Sequence, residues 1–181
     1  MKRRKTTKKQ AVLKKKQPVI KKNWLIAAGV AIFVALGLLT LHLANAAANK
    51  TGAIRHSSGR CLDNSFSRVV NGNNFHLWDC NGSAAQKVTM KSVGNSSYNL
   101  VVQGRCVEGY VPNATEKDNL SVKLRTCDNR TSMKWKKGTN GSLVNQRTKF
   151  CLVPKFGGTK NGTLLVVSYC NKSNSQKWST P

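Results

Sequence analysis

The chain has 181 residues, enough for one well-buried domain and little more. Its 31 Lys and Arg against 6 Asp and Glu leave a formal net charge of +25, which argues against cationic partners and for anionic ones such as an acidic polysaccharide or phospholipid. Only three histidines occur, and there is no Gly-x-Ser-x-Gly elbow, HExxH or phosphate loop, so the common hydrolase and nucleotide-enzyme constellations are missing and no enzyme is expected.

The first 23 residues carry eleven Lys or Arg and no acid, the charge of a cytoplasmic flank. Residues 24–46 follow with the uncharged run Leu25 to Leu43. Nineteen helical residues at about 1.5 Å each reach roughly 28 Å, close to the hydrocarbon thickness of a bilayer. The run is expected to be one N-terminal membrane-spanning or signal helix. A signal anchor fits its length, while Ala44-Asn45-Ala46 offers the small residues of a cleaved signal peptide. The protein is therefore expected to be membrane-anchored with its domain outside the cytoplasm, or secreted if cleaved after Ala46. Residues 47–51 read as a linker and 52–181 as the domain.

That domain repeats itself every 45 residues. Gly59-Arg60-Cys61-Leu62-Asp63, Gly104-Arg105-Cys106-Val107-Glu108 and Lys149-Phe150-Cys151-Leu152-Val153 stand in register. A second cysteine follows each first one after 19, 21 and 19 residues, and Gln86-Lys87-Val88, Met133-Lys134-Trp135 and Gln176-Lys177-Trp178 begin six positions later. Short β-branched stretches such as Leu164-Leu165-Val166-Val167 alternate with Asn-Gly turns, and no helical period survives past Ala48. An all-β unit of this size cannot bury a face alone, so three copies should close around Val88, Trp135 and Trp178. Of the fifteen ways to pair six cysteines, the repeat selects Cys61–Cys80, Cys106–Cys127 and Cys151–Cys170, which calls for an oxidising compartment. No cysteine or histidine spacing suits zinc, and neither metal nor cofactor is expected.

Gly-x-Cys-Leu-Asp, then Leu77-Trp78-Asp79-Cys80-Asn81-Gly82, then Gln86-x-Val88 and Gln176-x-Trp178 resembles the ricin B-type lectins, a Q-x-W β-trefoil family, from about Gly52 to Trp178. The resemblance implies an all-β trefoil with one shallow sugar site per repeat at most. It implies that Asp63 accepts bonds from sugar hydroxyls, that Trp78 stacks on the sugar, that His76 flanks it, and that Gln86 orients Asp63. Physical chemistry supports those roles. A pyranose has one C–H face that suits an aromatic ring, and a carboxylate can bind two vicinal hydroxyls. Strand alternation puts Trp78 opposite the apolar Leu77, hence outward.

Other positions depart from the pattern. Ala85 stands where the family has Asn, which removes one sugar contact unless Asn81 or Asn73 replaces it. In the second repeat Glu108, Lys123 and Arg125 replace acid, flanking group and ring; this is read as a dead site, the alternative being an anion clamp for an acidic ligand. The third repeat has Val153 and Ser168 and reads as structural. His56 reads as a turn residue. The expected partner is a glycan or cell-surface polysaccharide, anionic or neutral, and no nucleic acid. The rival is a basic trefoil that binds an acidic polymer or protein by surface charge. Asn-x-Ser/Thr sequons, eight of them between Asn81 and Asn171, offer glycosylation sites if the host modifies them.

Overall fold

The computed structural model describes residues 49–109 and 120–181. The expected basic tail and membrane or signal helix lie outside the described residues. The chain divides after Ala46 into two units, of which the second carries the described structure.

Thirteen strands form in chain order. A short strand β1 (Lys50–Gly52) is followed by four strands per repeat: β2 (Arg55–His56), β3 (Cys61–Asn64), β4 (Phe75–Trp78) and β5 (Val88–Ser92) in the first. The second has β6 (Ser97–Val102), β7 (Arg105–Gly109), β8 (Val122–Arg125) and β9 (Lys134–Lys137). The third has β10 (Leu143–Asn145), β11 (Cys151–Pro154), β12 (Leu165–Ser168) and β13 (Trp178–Ser179). Lys50 and Thr51, assigned to a linker from the sequence, instead pair with Met90 and Thr89 in β5, so the folded domain begins with them.

All described pairings between neighbouring strands are antiparallel, and they repeat. The middle hairpins β3–β4, β7–β8 and β11–β12 each pair four residues, and each carries one cysteine pair at its mouth. The last strand of each repeat then pairs with the first strand of the next. Val88 stands opposite Val102, Trp135 opposite Asn145, and Trp178 of the third repeat opposite His56 of the first. That last pair closes the ring. Three repeats closed in this way make a β-trefoil.

Val88, Trp135 and Trp178 sit in the shared core with Leu62, Leu77, Val107, Leu124, Leu152 and Val167. Both indoles are also tied by polar bonds of the same kind. Trp135 Nε1 donates to the Val107 carbonyl and Trp178 Nε1 to the Leu152 carbonyl, each at 2.9 Å. A buried indole N–H without a partner would cost about 1–3 kcal/mol, so one equivalent carbonyl in each repeat removes the penalty.

The three disulfides pair as the repeat predicts, with Cα atoms 5.1 Å apart in every case. Asn-Gly turns then clasp neighbouring repeats. Asn71 Oδ1 accepts from Arg105 Nη1 at 2.7 Å and from the Thr126 amide at 2.8 Å. Its counterpart Asn161 accepts from Arg60 Nε at 2.8 Å and donates to Asp79 Oδ2 at 2.7 Å. Finally, the Pro181 ring occupies the space where a side chain on Gly52 would go, 3.1 Å from an ideal Cβ, so the two ends of the domain meet.

Candidate functional site

The β3–β4 hairpin aligns Asp63 with His76 and Cys61 with Trp78 across the strand pair. Alternation does the rest. Leu62 and Leu77 point into the core and are fully buried, so Asp63, His76 and Trp78 share the opposite face. Asp63 and His76 are 6% exposed each, whereas Trp78 is 39% exposed. His76, open to reading as a surface residue, is buried because it stands between the carboxylate and the indole.

The Asp63 carboxylate is fixed at both oxygens. His76 Nε2 donates to Oδ1 at 3.1 Å and Gln86 Nε2 donates to Oδ2 at 2.9 Å. Each carboxylate oxygen has a second acceptor direction, so the group can still receive hydroxyl donors from outside. Gln86 has a structural duty as well. Its Oε1 accepts from the Asn81 amide at 2.9 Å and its Nε2 donates to the Asp79 carbonyl at 2.9 Å. Gln176 makes the same two bonds in the third repeat, to the Asn171 amide and the Tyr169 carbonyl, with Val153 in place of a carboxylate. The bond to Asp63 is thus what the first repeat adds to a staple it shares with the third.

These side chains line a cleft of about 200 Å³ together with Phe66, Ser67, Asn81 and Ser83. Phe66 was not legible as a wall from the sequence. It lies in the turn Ser65–Ser67 with φ of 57°, a left-handed conformation that is costly for an aromatic residue, and it is 79% exposed. Its ring meets that of His76 edge-on, 6.1 Å between centroids. Phe156 repeats the conformation in the third repeat with φ of 56° and 95% exposure. The signal in the sequence was the recurrence of Phe 90 residues apart. Of the two suggested substitutes for the missing Asn at Ala85, Asn81 reaches the cleft. Asn73 is occupied in the loop, donating to Asn64 Oδ1 and the Ser65 carbonyl at 2.8 Å each.

The second repeat is arranged differently. Glu108 is buried, accepts from Ser132 Oγ at 2.7 Å, and lies 3.4 Å from Arg125 Nε and 3.6 Å from Arg130 Nη1. Lys123 donates to Asn74 Oδ1 of the first repeat. Burial and then the charge of Arg125 lower the Lys123 pKa. The Arg125 guanidinium, which with Lys123 would form a clamp for an acidic ligand, therefore faces the Glu108 carboxylate instead. In the third repeat Val153, Val166 and Ser168 leave no polar group at the positions of Asp63, His76 and Trp78 other than the serine hydroxyl. His56, read as a turn residue, is a buried strand residue. Its ring lies 4.8 Å from that of Trp178, and its Nε2 donates to the Ser175 carbonyl at 3.1 Å.

Residues 50–178 match the ricin-type beta-trefoil lectin domain. The chain belongs to the ricin-type β-trefoil lectins. No curated protein matches it by sequence. Among solved structures, this lectin chain is similar to a designed threefold-symmetric protein, ThreeFoil, at 19% identity and a TM-score of 0.65, over 71% of this chain and 95% of that one. It is similar to the agglutinin of Abrus precatorius at 23% identity and a TM-score of 0.62, over 73% of this chain and 48% of the agglutinin. A non-toxic homologue of type II ribosome-inactivating proteins from Momordica charantia, solved with α-methyl-D-galactoside, gives 19% identity and a TM-score of 0.61, over 72% and 47%. The lectin chain thus spans about half the length of the two plant proteins. At these identities the likeness establishes the fold.

Proposed function

We propose that this protein binds a glycan through the first-repeat cleft, with Asp63 accepting sugar hydroxyls, Trp78 stacking on the C–H face, His76 and Gln86 holding the carboxylate, and Asn81 supplying a side contact. One observation carries the reading: only the first repeat sets a buried, doubly anchored carboxylate beside a half-exposed indole. Preorganisation of this kind matters for a shallow site, because little ordering entropy remains to be lost on binding. The carboxylate has hydroxyl-accepting capacity left and the ring offers an apolar platform, which together match the two-sided chemistry of a pyranose. Two structural neighbours hold galactose-type ligands, α-methyl-D-galactoside and GalNAc, so these sugars are the first probes.

The cleft suits binding and not hydrolysis. Glycoside cleavage uses two carboxylates roughly 5–9.5 Å apart, and Asp63 is the one acid lining the cleft. Three disulfides favour an oxidising compartment, and the run from Leu25 to Leu43 favours a membrane or signal segment that puts the lectin domain outside the cytoplasm. The second repeat is a closed site in this reading, since the Arg125 guanidinium lies 3.4 Å from the Glu108 carboxylate and its charge is offset there.

A glycan array run on the full chain at two salt concentrations tests the proposal. Galactose-type or other neutral sugars should be retained at high salt and lost in Trp78→Ala and Asp63→Asn. Retention of all glycan signals in both variants would remove the first-repeat cleft from consideration.

A further inference from the structure

A second binding surface lies on the outer face of the sheet formed by β5, β6 and β9. Val88, Met90 and Trp135 point into the core, so alternation turns Lys87, Lys91, Lys134 and Lys136 outward. The register brings Lys91, Lys134 and Lys136 together, with Lys87 just before β5, about 14 Å from Lys91. Asn99 of β6 stands opposite both Lys91 of β5 and Lys134 of β9, and Ser97 stands opposite Lys136. Two strand spacings separate Lys91 from Lys134, about 9.5 Å, and two residues along the strand separate Lys134 from Lys136, about 7 Å.

The floor between them is small and polar. Asn99 and Ser97 alternate with the core residues Leu100 and Tyr98 and are 3% and 6% exposed, so neighbouring side chains cover them. Among the described residues none of the four lysines has an ion pair, and the acids Asp63, Asp79, Glu108 and Asp128 are each committed to a histidine or arginine elsewhere. Three like charges, Lys91, Lys134 and Lys136, held within about 10 Å of their nearest neighbours repel one another in the free domain. That cost falls when an extended polyanion lies across the face and displaces their counterions.

We infer that this face docks an acidic polysaccharide, a chain with repeating sulfate or carboxylate groups, independently of the sugar cleft. A flat pleated face with charges in two rows fits an extended polymer and offers nothing that would select a small ion. A glycan polymer is the occupant committed to, because the domain belongs to a carbohydrate-binding family and its charge is complementary to that polymer.

The test uses the full chain against immobilised dextran sulfate and unmodified dextran, with anionic phospholipid vesicles and duplex DNA as further arms. One variant replaces Lys87, Lys91, Lys134 and Lys136 by Gln. A matched variant replaces Lys149, Lys160, Lys172 and Lys177 by Gln and removes the same charge from the third repeat. The sheet variant should lose about tenfold or more in affinity for dextran sulfate, and its slope of log affinity against log salt should fall by about 3. The matched variant should lose at most about threefold. Trp78→Ala should leave dextran sulfate binding unchanged, so failure of the sugar-cleft reading and failure of this one show up in different variants. Equal losses in the two lysine variants, or a sheet-dependent effect confined to vesicles or DNA, overturns the inference.

Discussion

The imidazole of His76 lies against the indole of Trp78, with ring centroids 5.1 Å apart and planes 21° from parallel. The same imidazole donates to Asp63. One side chain therefore sets the tilt of the indole and the direction of the carboxylate at once.

That double duty can be separated by substitution. His76→Phe keeps an aromatic neighbour for Trp78 and removes the bond to Asp63, whereas His76→Ala removes both. Loss of one charge-assisted bond at the site should weaken sugar binding by about 1–2 kcal/mol in His76→Phe, and His76→Ala should weaken it further. Titration calorimetry gives the affinities, and the Trp78 fluorescence envelope should shift only in His76→Ala.

His56 gives the domain a pH dependence of known sign. Burial against Trp178 lowers its pKa, and the bond to the Ser175 carbonyl offsets part of that. The unfolded chain therefore binds a proton at higher pH than the folded one does. The contribution to stability is complete above the ordinary histidine value of about 6.5 and is lost as pH falls through the lower folded value. Melting temperatures measured from pH 7.5 to 5 should decline, and His56→Asn, which copies the third-repeat Asn145, should flatten that decline.

The two Asn-Gly clasps should respond oppositely to added charge. Asn161 donates to Asp79, so Asn161→Asp sets two carboxylates against each other and should cost about 1–2 kcal/mol. Asn71 accepts from Arg105 and the Thr126 amide, so Asn71→Asp keeps both bonds and should change stability by less than about 0.5 kcal/mol. Urea denaturation of the two single variants decides it.

Disulfide removal should distinguish scaffold from site. Each bridge closes a loop of about twenty residues and contributes roughly 3 kcal/mol by constraining the unfolded chain. Replacing Cys151 and Cys170 by Ser should cost stability alone. Replacing Cys61 and Cys80 should cost a similar amount and also weaken glycan binding, because that bridge closes the hairpin bearing Asp63 and Trp78.

The cysteine ladder and the Q-x-W positions were legible because the repeat places them in register along one dimension, and the family resemblance singled out Asp63, His76, Trp78 and Gln86, which the fold brings into contact. What stayed hidden depends on distance or on unusual backbone. His56 looked like a turn residue since its partner Trp178 is far along the chain and meets it only at ring closure. Phe66 gave no local sign of lining the cleft, since nothing nearby in the sequence announces an aromatic residue in the left-handed region. Lys123 and Arg125 could be read as a clamp from position alone, yet only the fold reveals that Arg125 faces the Glu108 carboxylate. The lysine face needed the pairing register of three strands, which one-dimensional alternation does not supply.

Gly52 and Pro181 touch where the trefoil begins and ends. Chain entry and exit at a common point make the connectivity of the ring arbitrary in mechanical terms. A short tether across that contact, with new ends cut at the exposed Gly157-Gly158 turn, should give a permuted trefoil with its cleft intact.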